Sequence, residues 1–211
     1  MTKATALSDL VQASATWLQR NLATPGPPSW TSRALGGCLA ELSSAGAAAP
    51  LTLAFNLVLD VQRHGEPVAW ITQTNSIFFP PDAADGGVDI TALPVIRVPS
   101  VTQGVRAADQ LARSGAFGLI VLDFGECFDL PIAVEIRLAE QALRHGTLIL
   151  CLTTKTDRQP SLGSFVAVRG QSRRTRCDKN LFSCQVCILK DKRRGPGWKN
   201  EELCRGPDGL R

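Results

Sequence analysis

Cys184-Gln185-Val186-Cys187 has the spacing of half a zinc site or of a redox dithiol, and either chemistry needs both sulfurs on one side of the chain. A zinc site needs two more ligands, and only Cys177 and Cys204 are near in sequence. If 181–190 is a strand, its two-residue period sends Cys184 and Cys187 to opposite faces. Phe182, Cys184, Val186 and Ile188 then share one face, which predicts small-hydrophobe packing and no metal. A second constellation is Leu42-Ser43-Ser44-Ala45-Gly46-Ala47-Ala48-Ala49-Pro50, between a buried strand and an apolar helix, where an α/β nucleotide-binding protein carries its phosphate cradle. Triphosphate binding there calls for GxxxxGK[ST]: glycine for close backbone approach, lysine for the β- and γ-phosphates, a hydroxyl for the metal. This loop offers Gly46, then Ala47, Ala48 and Ala49, and no lysine lies between Lys3 and Lys155, so no tight triphosphate binding and no cofactor are expected. Asp123 ends the apolar run Gly118–Asp123 as a magnesium-side carboxylate would, but with no cradle opposite it the expected role is structural.

The two histidines, His64 and His145, both stand in Arg-His-Gly tripeptides at predicted helix ends, where a cation in the last turn and a following glycine are stop signals. With no tyrosine and no other histidine, His-based triads, proton shuttles and metal centres are hard to assemble. Basic residues form two clusters. Arg169, Arg173, Arg174, Arg176 and Lys179 fill a presumed connection, and Lys190, Lys192, Arg193, Arg194 and Lys199 follow a late strand. Such density can track phosphates, face an acidic protein surface or solvate a loop. The aromatics nearby, Phe165, Phe182 and Trp198, are too sparse for a single-strand stacking platform.

The elements that would position these groups follow from periodicity. Residues 4–22 place Leu7, Leu10, Val11, Trp17, Leu18 and Leu22 near helical spacing, giving an N-terminal helix (1–24) on a Pro-rich linker (25–32). Apolar strand-like runs at 38–42, 68–71, 94–98, 117–123 and 147–152 alternate with helical patterns at 51–64, 102–114 and 131–145. That alternation predicts an α/β fold with a doubly wound, mostly parallel sheet. After about residue 160 the rhythm changes, and Phe165–Arg169 and Leu181–Lys190 read as antiparallel edge strands. The core is expected to span 33–204, with a mobile end at 205–211. The 211 residues, 44% hydrophobic, suffice for one such core. The net charge of +4 is unevenly spread: residues 1–150 hold 9 Lys/Arg against 13 Asp/Glu, and residues 151–211 hold 14 against 6. No apolar run reaches the ~18 residues of a membrane span, no signal peptide opens the chain, and seven scattered cysteines suit a reducing, cytoplasmic setting.

In order and spacing, several of these pieces resemble the core of the RecA recombinase family over about residues 33–204. They are Leu51-Thr52-Leu53, Ala69-Trp70-Ile71, Gly87-Val88-Asp89-Ile90, the run Ala108–Ala116 leading to the Asp123 strand, and Val186–Lys192, whose Lys190 and Lys192 match paired lysines of RecA. On that pattern the phosphate-binding lysine and its neighbouring hydroxyl fall on Ala48 and Ala49, and the catalytic glutamate falls at about Thr74. The resemblance therefore implies a RecA-like fold without the ATPase parts, and a shortened Asp129–Thr154 region where RecA carries its DNA-contacting loops. The segments Phe78–Ala84, Leu93–Val98 and Leu189–Gly197 resemble the ImuA family of bacterial mutagenesis cassettes. That resemblance implies a non-enzymatic, cytoplasmic and nucleoid-associated adaptor in SOS-induced translesion synthesis. Its partners would be RecA and ImuB, with an error-prone polymerase served indirectly and DNA as a further ligand. The resemblance also implies that Lys190 and Lys192 reach a neighbouring RecA subunit and that the N-terminal helix docks there. The alternatives are an inhibitor of cell division similar to SulA and a DNA-binding protein with residual ATPase activity.

Overall fold

The computed structural model describes residues 28–46, 48–76, 78–125, 129–179 and 181–205. The expected N-terminal helix, residues 25–27 of the Pro-rich linker, Ala47 and the end at 206–211 lie outside the described residues. Thr31 caps a short helix α1 (Ser32–Leu35), its hydroxyl accepting from Ala34 N at 3.3 Å. Then follow β1 (Leu39–Ser44), α2 (Pro50–Arg63), β2 (Val68–Gln73), α3 (Pro80–Asp85), a 3-10 turn (Ile90–Ala92) and β3 (Val95–Val98). Next are α4 (Val101–Ser114), β4 (Leu119–Asp123), α5 (Ile132–His145) and β5 (Leu148–Thr154). Three long strands finish the described chain: β6 (Val168–Asp178), β7 (Leu181–Asp191) and β8 (Lys199–Arg205). Both Arg-His-Gly tripeptides end helices as expected, and Gly65 and Gly146 each take φ 73°, a left-handed conformation that stops the helix.

The strands form one eight-stranded sheet in the order β3-β2-β4-β5-β1-β6-β7-β8. Strands β3 to β6 of that order run parallel, and β7 and β8 are antiparallel additions at the edge. Alternate residues of each central strand feed two apolar clusters. Trp70, Val121, Leu148 and Leu150 pack against Leu53, Leu57 and Val61 of α2. Ile71, Ile120, Leu122 and Ile149 pack against Ala108 and Ala112 of α4 and Leu138 and Ala142 of α5. The near-continuous apolar runs seen in the sequence are therefore strands buried on both faces. Among the described residues, no helix is long and apolar enough to cross a membrane.

One expectation needs correction, and one strand was not among those expected. The strand expected at Phe165–Arg169 begins at Val168 and continues to Asp178, so the Arg-rich stretch is strand, not connection. It is sustained by β7, which pairs with β6 along its whole length, whereas β1 ends at Ser172's register. The exposed arginines beyond Ser172 are tolerated because that length of β6 is a free edge, where charge guards against further pairing. Strand β8 carries no apolar alternation. Its inward residues are Asn200, Glu202 and Cys204, and Asn56 of α2 donates to Glu202 across the layer.

Candidate functional site

In a parallel α/β sheet, ligands sit outside the carboxyl ends of the strands. Here a cleft of about 460 Å³ opens there between β1, β2, β4 and β5, lined by Ser44, Gln73, Ser76, Asp123 and Thr153 among others. None of its described lining residues is Lys, Arg or His. Gly46 takes φ 63° in the loop after β1, with open space around it. Two backbone donors that a phosphate would use are missing or taken, since Pro50 at the start of α2 has no N–H and Ala49 N donates to Ser172 Oγ at 3.2 Å. Lys155, the nearest cation in sequence to Thr154, turns away, with Nζ 3.3 Å from Glu41 and 3.4 Å from Pro160 O. The arrangement can present neutral polar groups and one carboxyl to a ligand. It offers no cationic cradle.

Asp123 ends β4 beneath this cleft. Its Oδ2 accepts from Trp70 Nε1 at 3.3 Å, Thr72 Oγ1 at 3.4 Å and Ser76 Oγ at 3.5 Å, so the carboxyl joins the ends of β2 and β4. Burial pushes its pKa up from the ordinary carboxylate value and outweighs these three donors. The native carboxyl thus holds its proton more tightly than the unfolded one. Its contribution to stability is present at low pH and is lost as pH rises through the native pKa. Asp123→Asn is accordingly expected to raise stability at pH 7, with the gain shrinking toward pH 4, as read by urea denaturation at both pH values.

The basic residues divide between the two ends of the sheet. Because β7 runs back along β6, Asp191 lies opposite Val168 while Phe182 lies opposite Arg176. At about 3.3 Å per residue the two clusters are roughly 25 Å apart and form no single surface. At the carboxyl end, Arg173 pairs with Asp157 at 3.3 Å and Arg174 lies 5.0 Å over the Phe182 ring. Arg176 donates to Asp178 O and Lys179 O at 3.1 and 3.0 Å, closing the turn that leads to β7. At the amino end, Lys190 Nζ donates to Gly163 O at 2.9 Å, and burial lowers its pKa. Lys190 therefore holds the preceding loop, while exposed Lys192 lies 5.8 Å from the Phe165 ring centre. Arg193 and Arg194 donate to Gly36 O and Ala34 O at 3.5 Å, and Asp191 accepts both of their backbone N–H groups. Arg169, grouped with the first cluster in the sequence, is buried elsewhere in an ion network.

That network was not visible in the sequence. Glu41, fully buried in β1, meets Lys155 at 3.3 Å and Arg169 at 3.9 Å, and accepts from Thr153, Ser161 and Leu162 N. Glu135 of α5 accepts from Phe165 N and Val166 N at 2.6 and 3.0 Å. Two buried carboxylates thus pin the connection between β5 and β6. The single sequence signal was a glutamate inside the apolar run Cys38–Leu42. Cys184 and Cys187 fall on opposite faces of β7, and Cys184 packs with Phe182 and Val186. Burial and neighbouring Cys204 push the Cys184 thiol up to about 12, which leaves it an unreactive thiol at neutral pH.

No protein-family model matches the chain. It is 35% identical to the protein RecA of Nocardioides sp. over 123 residues, covering 53% of this chain and 35% of that protein. To the RecA of Leifsonia xyli it is 32% identical over 131 residues, 57% of this chain and 36% of that one. The crystal structure of the RadB recombinase superposes with a TM-score of 0.59 at 16% identity, over 79% of this chain and 87% of that chain. The fold is that of the RecA-like recombinases. The chain spans about a third of the length of these RecA relatives. Within the RecA-like frame, the carboxyl-end cleft lies beside the loop after β1, and β6, β7 and β8 make the antiparallel edge.

Proposed function

We propose that this chain is a non-enzymatic, RecA-like adaptor in DNA repair that docks on RecA and on ImuB and supports an error-prone polymerase in SOS-induced translesion synthesis. The observation that carries the reading is the carboxyl-end cleft. Its helix begins Ala49-Pro50, one of its donors is taken by Ser172, and no cation lines it among the described residues. A fold related to recombinases, with no Lys, Arg or His lining this cleft among the described residues, supports binding to partners in place of nucleotide turnover. The sequence resemblance to the ImuA family supplies the named partners, and the similarity to RecA proteins supports a place in DNA repair.

Thermal unfolding tests the first half. A ligand at 100 times its Kd stabilises the native state by about 2.7 kcal/mol, a rise of several degrees for a chain of this size. Millimolar MgATP is expected to leave the Tm unchanged, and a rise of that order would restore the ATPase alternative. The second half is tested by retention of purified ImuB and of RecA assembled on single-stranded DNA by the immobilised full chain. Both are expected to be retained without nucleotide added for this chain, and retention of neither overturns the adaptor role.

A further inference from the structure

A larger cleft lies at the other end of the sheet, where the amino ends of the parallel strands meet the helix termini. It measures about 1040 Å³, at the upper limit of the ~300–1,000 Å³ of small-molecule pockets. Phe117, Leu143 and Phe165 supply an apolar floor, with Leu143 44% and Phe165 40% exposed. Both are too open to serve as core, and both line this one cleft. Three basic side chains, Arg33, Lys192 and Arg193, line the cleft against one carboxylate, Glu66. Glu66 lies at one end over Gly118, where a Cβ would come 2.1 Å from its Oε2. The floor is framed by glycine-rich helix ends at 36–37, 115–118 and 146, so backbone approaches closely and side-chain bulk is low.

We infer that this amino-end cleft is a docking groove for a partner segment with acidic residues beside an apolar helical face. Charge complementarity selects the acidic partner, and the open Leu143 and Phe165 select an amphipathic one. Nucleic acid fits less well. Three cations make a short phosphate track, Leu143 and Ala139 offer no stacking face, and Glu66 would repel a phosphate backbone. The inference stands apart from the adaptor reading, because it names a surface and a partner chemistry whether or not RecA or ImuB supplies the segment.

A random helical-peptide display library panned on the full chain tests it. Enriched peptides are expected to combine Asp/Glu with apolar residues at i, i+3, i+4 and i+7. A synthetic copy of the strongest should bind at least ten-fold more weakly to Lys192→Glu and to Leu143→Asp. Both substitutions are at exposed sites and should leave the Tm close to that of the parent. A peptide with its acids changed to lysine should recover binding to Lys192→Glu. No enrichment, enrichment of neutral or basic peptides, or binding unchanged by both substitutions overturns the inference. So does a dT20 oligonucleotide that binds the chain and displaces the selected peptide. Since the readout is the selected peptide, this test can fail while RecA and ImuB are still retained, and the reverse.

Discussion

Glu41→Ala is expected to lower the unfolding free energy by about 3–5 kcal/mol, the range for removing one member of a buried ion pair. Glu41 is fully buried in β1 at the centre of the sheet, and its carboxylate is the counter-charge for two cations. Its Oε2 accepts from Ser161 Oγ at 2.9 Å and from Leu162 N at 2.8 Å, and its Oε1 accepts from Thr153 Oγ1 at 2.9 Å. Alanine would leave the Arg169 guanidinium, 4% exposed, with neutral partners only: Ser43 Oγ, Gln159 O and Thr156 O. It would also strand Leu162 N, a buried donor that loses its acceptor. Glu41→Gln keeps an acceptor for Leu162 N and loses only the charge, so its cost should be the smaller of the two. Urea denaturation of both variants separates charge from hydrogen bonding. Proteolysis in the 155–165 connection should accelerate in the alanine variant first, because Glu41 holds that connection from one side and Glu135 from the other.

The contrast between what the sequence revealed and what it hid has a physical basis. Strands buried on both faces must be apolar, and helices that cover them must be amphipathic, so β1 to β5 and α2, α4 and α5 were legible from periodicity with no end off by more than two residues. The two faces of β7 were legible for the same reason, and Cys184 packs as period two required. Polar partners across long sequence separations were not legible. Glu41 and Arg169 are 128 residues apart, and nothing local to either announces the other. Strand β8 escaped because its inward side chains are Asn200 and Glu202, satisfied by hydrogen bonds that only the assembled layer provides. The sequence divides the basic residues into two clusters but does not say where in the fold each one lies. Antiparallel return through β7 carries Lys190–Arg194 back to the start of β6, and that placement creates the amino-end cleft.

The second large effect is expected at Trp70, whose replacement by alanine should cost about 3–5 kcal/mol. Trp70 is the bulkiest of the fully buried side chains in the sheet. Its ring lies 5.2 Å from Phe55 of α2 and 5.1 Å from Phe78, and those two meet edge to face at 5.8 Å. Alanine would open a cavity in this cluster and leave Phe55 and Phe78 with only each other as ring partners. It would also remove the donor that Trp70 Nε1 gives to Asp123 Oδ2. Trp70→Phe isolates that last effect, since it preserves much of the packing and deletes the N–H. Asp123 is already harder to ionise than an ordinary carboxyl, and losing a donor that favours its charged form moves its pKa further up. The extra cost in Trp70→Phe should therefore be largest at pH 7, where Asp123 must be ionised to match the solvent. It should diminish toward pH 4 as the native carboxyl takes its proton. Adding Asp123→Asn should remove that pH dependence. A double-mutant cycle measured at both pH values then gives the coupling between Trp70 and Asp123 directly. A coupling that does not change with pH would mean that Trp70 acts on the carboxyl-end cleft through packing alone.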